Sequence, residues 1–134
     1  MAGYSGTALA KKLGVKEGSR IFLSGAPKNY LALLAPLPED VLVVSHIDSG
    51  TDIAHIFSTT RTELAEALRA SVAKLKKDGT IWVSWPKRAS KVPTDVTEDT
   101  VRSIALPLGL VDVKVCAVDD VWSGLKLVRR KENR

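Results

Sequence analysis

The sequence predicts an α/β three-layer sandwich, built on a mostly parallel sheet that ends in an antiparallel β-hairpin. Apolar, strand-like runs alternate with helical segments along most of the chain, which is the pattern of parallel βαβ units covered by helices on both faces. The last two apolar runs have no helix between them, so they must pair as a hairpin. We expect residues 1–134 to form a single domain, with an N-terminal arm over 1–18 and a basic tail over 129–134.

Short elements are predicted in the first half of the chain. A helix or turn-rich arm from Tyr4 to Leu13 is followed by Gly14, a residue suited to a helix C-terminus. Proline favours the first position of a helix, so a second helix is predicted from Pro27 to Leu34. Three apolar runs predict strands over 20–24, 41–46 and 53–57.

The second half carries two helices with clear start signals. Thr60 and Glu63 have the spacing of a capping box, and leucine and valine then recur at intervals of three and four residues. Asp95 and Glu98 form a second predicted capping box, for a helix that extends to about Leu106. Strands are predicted over 80–85, 111–118 and 122–129, and only the last is expected to be antiparallel to its neighbours.

Composition excludes several classes of protein. With 45% hydrophobic and 26% charged residues, the chain is globular and not disordered. No apolar run approaches the roughly 20 residues of a membrane-spanning helix, and a signal-peptide pattern is lacking, so we expect no membrane partner. The scarcity of cysteine fits a reducing compartment, so we expect a cytoplasmic protein. The single cysteine, Cys116, excludes an internal disulfide and a cysteine-rich zinc site.

The net charge of +5 arises beyond residue 60. The basic residues cluster in three segments, 74–77, 87–91 and 129–134. Such clusters attract nucleic acid or a phosphorylated ligand. The other interpretation is that solvated lysines keep a small domain soluble, and composition leaves both open.

Residues 76–84, Lys-Lys-Asp-Gly-Thr-Ile-Trp-Val-Ser, resemble the segment that leads into the fifth strand of S-adenosylmethionine-dependent methyltransferases. Residues 52–57 are similar to the fourth strand of that Rossmann-like fold, and a helix and a terminal hairpin follow in the same order. The resemblance covers about residues 20–130. It implies a shortened methyltransferase-like sheet in which one strand and one helix are missing.

The whole chain more closely resembles a bacterial family of small domains of unknown function. This second resemblance lies in residues 3–7, 82–87, 92–95 and 122–126. It implies a fold and carries no activity with it.

Two departures from the methyltransferase pattern concern the cofactor. Methyltransferases cradle S-adenosylmethionine with a glycine-rich turn after the first strand, whereas residues 24–27 read Ser-Gly-Ala-Pro. The second predicted strand ends at Ser45 and His46, where an acidic residue would bind the ribose. We therefore expect no cofactor, with S-adenosylmethionine kept as the alternative.

Ligands of open parallel sheets bind at the carboxyl ends of the strands, where the strand order reverses. The residues predicted at those ends form the candidate ligand site: Ser24, Gly25, His46, Ser84, Trp85, Lys87, Trp122 and Ser123. Among them, we expect Trp85, Lys87 and Trp122 to converge, because the terminal strand runs opposite to the one that ends at Trp85. Two aromatic rings and a cation suit an anionic, planar ligand. Alternatively, the two rings only cover the edge of the sheet.

Neither the histidines nor the cysteine predicts a catalytic centre. His46 falls at the expected crevice, where an imidazole could act as a general base. His55 lies in the middle of an apolar strand and is expected to be a hydrogen-bonded core residue. Cys116 is expected to be a buried small hydrophobic residue. No catalytic or metal-binding residue is therefore assigned.

Three functions fit the sequence. The first is a non-catalytic binding or regulatory protein on a degenerate methyltransferase-like scaffold, with a small ligand or a protein as its partner. The second is a small S-adenosylmethionine-dependent methyltransferase. The third is a basic nucleic-acid-binding protein, whose affinity would fall steeply with salt. We rank them in that order.

Overall fold

The structure is a computed structural model, and it describes residues 8–134. Six strands form one sheet: β1 (Arg20–Ser24), β2 (Leu42–Val44), β3 (Ile53–Phe57), β4 (Thr80–Pro86), β5 (Leu110–Ala117) and β6 (Trp122–Arg129). The helices are α1 (Leu9–Lys12), α2 (Tyr30–Leu34), α3 (Arg61–Lys74) and α4 (Glu98–Ala105). Three 3₁₀ turns follow β4, α4 and β6, at Arg88–Ser90, Leu106–Leu108 and Lys131–Asn133.

The strand order is β2-β1-β3-β4-β6-β5. β1 pairs in parallel with β2 and β3, and β3 pairs in parallel with β4. β6 is antiparallel to both of its neighbours, β4 and β5. The prediction of a mixed sheet with only the last strand reversed is therefore confirmed. The order reverses at β1, because the chain moves to β2 on one side and then to β3 on the other.

Helices α3 and α4 cover one face of the sheet, which we call the α3 face. Leu64 and Leu68 of α3 are fully buried there against Ala54 of β3 and Ile81 of β4. Val101 of α4 belongs to the same cluster. These side chains recur at the three- and four-residue spacing of a helix stripe, which is why the sequence pattern located α3.

The opposite face, called the α2 face, carries α1 and α2. Leu9 of α1 and Leu34 of α2 pack against Ile21 of β1 and Trp82 of β4. Trp82 is fully buried, and its indole Nε1 donates a hydrogen bond to the Leu13 carbonyl at 3.0 Å. The predicted core position of Trp82 is confirmed.

The second predicted capping box is displaced. Thr97, not Asp95, is the N-cap of α4, and its side chain and that of Thr100 form the reciprocal bonds of the box. Asp95 instead accepts a 2.8 Å hydrogen bond from the Arg61 amide, so it caps the start of α3 from across the chain. The Thr60 cap on the Glu63 amide is present as predicted.

Several element bounds are shorter than predicted. The structure has α1 only over Leu9–Lys12, and the start of the arm predicted from Tyr4 lies outside the described residues. The second helix begins at Tyr30, three residues after Pro27. β2 ends at Val44, the last residue of its ladder with β1, and the chain then turns away across the sheet. No helix in the described range is both long and apolar enough to cross a membrane.

Residues 45–52, the crossover segment, connect β2 to β3 without a helix. Because β1 lies between those two strands, the segment must cross one face of the sheet. Ile47 packs against the cluster on the α3 face, which identifies the face that is crossed. A parallel crossover usually needs a dozen or more residues and a helix. Here the helix is missing, as the methyltransferase resemblance implied.

Candidate functional site

The predicted site residues lie at the carboxyl edge of the sheet. In the β4–β6 ladder, Trp85 is opposite Ser123 and Pro86 is opposite Trp122. Both tryptophans are therefore at the same end of the sheet.

Their rings nevertheless point to opposite faces. Trp85 belongs to the core cluster of the α3 face and is 7% exposed. Trp122 packs against the α2-face cluster, with its ring edge-on to Phe57 at a centroid distance of 5.0 Å. Side chains alternate along a strand, and Trp122 is paired with the residue after Trp85. The expectation that the two rings converge on one ligand is wrong for this reason.

Ser84 lies in the core of the protein and not at the exposed carboxyl edge of the sheet. It is fully buried, and its hydroxyl is 2.8 Å from Nε2 of His55. The other ring nitrogen of His55 is 2.8 Å from the Tyr30 hydroxyl. Burial lowers the pKa of His55 to about 3, so the ring is neutral at physiological pH. The expected core role of His55 is confirmed.

Lys87 is engaged with the hairpin between β5 and β6. Its amide donates to the Val121 carbonyl at 2.7 Å, and its Nζ donates to the Asp119 carbonyl at 2.6 Å. Ser123 is half-buried inside the ladder. Lys87 thus holds the end of β4 to the hairpin.

A cavity of about 450 Å³, the loop cavity, opens beside the end of β4. Its walls come from β4, from the following loop and from the start of α4: Trp85, Pro86, Arg88, Lys91, Val92, Pro93, Thr94, Val96 and Thr97. Trp85 and Val96 provide a buried apolar floor, whereas the two cations are exposed. Of the predicted site residues, only Trp85 lines this cavity.

Arg88 and Lys91 are the functional candidates that the predicted set omitted. Within residues 8–134, neither side chain forms a hydrogen bond or an ion pair, and the cavity wall contains no carboxylate. The signal was present in the sequence as the basic run over 87–91 beside Trp85. The prediction selected Lys87 from that run because it directly follows the strand, but its ammonium is bonded elsewhere.

Gly25 packs closely against the end of β3. Its φ is +69°, and a Cβ at this position would lie 2.5 Å from the Phe57 carbonyl oxygen. The single glycine of the Ser-Gly-Ala-Pro turn is therefore required by packing between two strand ends.

Ser24 and His46 line a different cavity of about 330 Å³ on the α3 face, between the crossover segment and α3. We call it the crossover cavity. The predicted site residues therefore do not form one site. Some line the loop cavity or the crossover cavity, and the others lie in the β4–β6 ladder or in the core.

Two other groups offer little chemistry. Burial raises the pKa of the half-buried Cys116 thiol, which disfavours the nucleophilic thiolate. Three exposed acidic side chains, Glu17, Glu39 and Asp40, bring oxygen atoms within 4.8 Å of one another. Exposed acidic groups of this kind are common on protein surfaces.

Residues 38–131, from just before β2 to just after β6, match the family model described as "Protein of unknown function (DUF3052)". The chain belongs to the DUF3052 family. The second sequence resemblance, to a family of domains of unknown function, is confirmed in that respect. A comparison of this DUF3052 member with curated proteins finds no match.

Several solved structures similar to this DUF3052 member are described as methyltransferases. Precorrin-6y C5,15-methyltransferase from Geobacter metallireducens has a TM-score of 0.61 at 12% identity, covering 91% of this chain and 86% of the other. Aeropyrum pernix fibrillarin, solved with natively bound S-adenosyl-L-methionine, has a TM-score of 0.59 at 17% identity, covering 90% and 73%. A SAM-dependent methyltransferase from Aquifex aeolicus has a TM-score of 0.57 at 15% identity, covering 89% and 86%. The fold is methyltransferase-like, as predicted.

Proposed function

We propose that this chain is a non-catalytic binding domain that holds a small anionic ligand in the loop cavity. The observation that carries the proposal is that Arg88 and Lys91 have no side-chain partner within residues 8–134 and line a cavity whose described wall contains no carboxylate. An anion bound there would gain charge-assisted hydrogen bonds without displacing an existing ion pair.

The loop that carries these cations is fastened at both ends. At its start, Lys87 is bonded to the hairpin, and Ser90 Oγ donates to the Lys87 carbonyl at 2.6 Å. At its end, Thr94 Oγ1 donates to the Thr59 carbonyl at 2.8 Å, and Asp95 accepts from the Arg61 amide. A loop that is already ordered loses little entropy on binding, so this anchoring favours a ligand site.

The cavity wall lacks the groups that acid–base or nucleophilic chemistry requires. Its two hydroxyls are engaged, because Thr94 is bonded to Thr59 and Thr97 caps α4. His55 lies in the core with both ring nitrogens bonded. Arginine and lysine bind anions but are poor general bases at neutral pH. Binding without chemistry is the function that these residues support.

The size and the walls of the cavity indicate the ligand class. Its volume of about 450 Å³ lies within the range of small-molecule sites. Apolar walls around two cations suit a phosphate or carboxylate attached to a small apolar body. Trp85 contributes to the floor, with too little exposed surface to stack on a whole ring.

The proposal is tested by calorimetry and thermal shift with phenyl phosphate, inorganic phosphate and benzoate. A ligand that binds only the folded state raises the melting temperature. We expect phenyl phosphate to stabilise the wild type, and the double variant Arg88→Gln/Lys91→Gln to lose this effect. The control Lys77→Gln removes one exposed charge outside the cavity and should leave binding unchanged.

Other outcomes would favour the other functions. S-adenosylmethionine binding at low micromolar concentration, retained in the double variant, would support a methyltransferase. Oligonucleotide binding that weakens steeply with salt would support a nucleic-acid-binding protein. If none of the three anions binds, the proposed function is wrong.

A further inference from the structure

The crossover cavity is a consequence of the missing helix. On the α3 face, α3 packs over β3 and β4, and the crossover segment, which contains no helix, crosses the sheet beside it. A cleft is left between them, with Phe22 of β1 and Ile47 of the segment on one side. The opposite wall is the flank of α3, where Ala67, Ala70 and Ser71 have short side chains that leave the cleft open.

One end of this cavity is cationic. α3 connects two parallel strands, so it runs antiparallel to them, and Lys74 in its last turn lies towards the amino edge of the sheet. Lys74 is exposed, and its ammonium forms no hydrogen bond or ion pair with any described residue. No aspartate or glutamate lines the cavity. The charge of Lys74 is therefore available to a ligand.

Arg129, and not Lys74, binds carbonyl groups at the C-terminal end of α3. The Arg129 guanidinium, from strand β6, donates to the carbonyl of Val72 in the last turn of α3 and to the carbonyls of Leu75 and Lys76 just after the helix. A basic residue in a last turn commonly interacts with those carbonyls. Here Arg129 of β6 binds one of those carbonyls, and the Lys74 ammonium has no partner among residues 8–134.

We propose that the crossover cavity binds a linear aliphatic monocarboxylate of about eight carbons. Its carboxylate would contact Lys74, and its chain would lie along Phe22, Ile47 and the alanines of α3. From Ala67 to Lys74 the helix rises about 10 Å, at 1.5 Å per residue, which is about the length of an extended eight-carbon carboxylate. The cavity volume of about 330 Å³ accommodates such a chain.

A single ammonium beside apolar walls favours this class over a nucleotide or a phosphate. One lysine matches one negative charge, and the remaining wall combines the apolar Phe22, Ile47, Ala67 and Ala70 with three serines and His46, none of which carries a second cation for a phosphate group. The polar residues at the other end of the cavity, Ser24 and His46, are half-buried and exposed, respectively. They form the rim of the cavity, where the methyl end of the ligand would meet solvent. The site is separate from the loop cavity, since the two share no lining residue.

The test is calorimetry of the full chain with octanoate, butyrate and octylamine. We expect octanoate to bind, butyrate to bind more weakly because it buries less apolar surface, and octylamine not to bind because its charge opposes Lys74. Lys74→Gln should weaken octanoate binding about tenfold, the usual effect of losing a hydrogen bond to a charged group. The matched control Lys77→Gln should change it less than twofold.

Two further variants locate the site. Ala67→Phe should fill the cleft and abolish octanoate binding, with circular dichroism to verify the fold. Arg88→Gln/Lys91→Gln should keep the octanoate binding that Lys74→Gln weakens, which separates this site from the proposed function. The proposal is overturned if octanoate does not bind, if octylamine binds equally well, or if Lys74→Gln and Lys77→Gln have equal effects.

Discussion

The hydroxyl of Tyr30, at the start of α2, lies 2.8 Å from Nδ1 of His55 in the middle of β3. The rings of the two residues meet edge to face at a centroid distance of 5.3 Å. Together with the Ser84 hydroxyl on the other nitrogen, this contact satisfies a fully buried imidazole on both sides. It also attaches the short α2 to the centre of the sheet.

Stability should therefore fall in acid. The folded pKa of His55 is lowered to about 3, below the value of about 6.5 in an unfolded chain, so the unfolded state binds the extra proton between these values. From pH 6.5 to pH 5, the free energy of unfolding should decrease by up to about 2 kcal/mol. This decrease is measured by urea unfolding of the wild type and of His55→Gln between pH 6.5 and pH 5. An equally steep pH dependence in His55→Gln would contradict the assignment.

Trp85 should be important for stability. It is buried in the α3-face cluster, so Trp85→Ala should lower the free energy of unfolding by about 3 kcal/mol or more, as large core truncations do. Trp122 is half-buried and contacts Phe57 at the rim, and Trp122→Ala should cost less. Chemical denaturation of both variants compares them. A loss below about 1 kcal/mol for Trp85→Ala would show that the ring is not a core residue.

Gly25 and Gly18 form a matched pair for backbone strain. Both have positive φ, +69° and +77°, so alanine is strained at either position by about 1–2 kcal/mol. Only at Gly25 would the new methyl group meet a backbone atom, the Phe57 carbonyl oxygen, whereas nothing lies within 4 Å at Gly18. Thermal unfolding should therefore show a larger loss for Gly25→Ala than for Gly18→Ala. Equal losses would argue against the close approach of β1 and β3.

Lys87 and Lys91 should respond differently to removal of the side chain. Lys87→Ala loses the hydrogen bond to the Asp119 carbonyl and should cost about 1 kcal/mol, the usual contribution of such a bond. Lys91→Ala should stay within about 0.5 kcal/mol, because the exposed Lys91 side chain has no described contact and the substitution keeps the bond from its amide to the Arg88 carbonyl. Differential scanning calorimetry distinguishes the two. If Lys87→Ala leaves the stability unchanged, the hydrogen bond from the Lys87 ammonium to the Asp119 carbonyl does not contribute to folding.

The sheet could be predicted because its signals are local. The β-branched runs, the Thr60 cap and the glycine and proline stops each act within a few residues, and the absence of a helix before β6 forces an antiparallel hairpin. The second capping box could not be placed correctly by the same means. Asp95 has the expected spacing to Glu98, but its carboxylate accepts from the Arg61 amide at the start of α3, and Thr97 caps α4 instead.

The candidate site was harder to predict because it depends on which face each side chain occupies. The sequence indicated that Trp85 and Trp122 share one end of the sheet, but not the register of the ladder. A shift of one residue in that register moves a ring to the other face. Likewise, nothing local distinguishes Lys87 from Arg88. Only the position of the hairpin turn shows that the first is bonded and the second is free.

β6 follows the other five strands in the sequence, but in the sheet it lies between β4 and β5. β5 pairs within the sheet only with β6, and β6 also supplies Arg129 to the end of α3. During synthesis, β5 therefore has no ladder partner, and β4 keeps an open edge, until residues 122–129 are available. A chain that stops before β6 would expose two unpaired strands, the kind of surface that aggregates. Folding of this sheet must be completed after its final strand is made, and truncations there should yield insoluble protein.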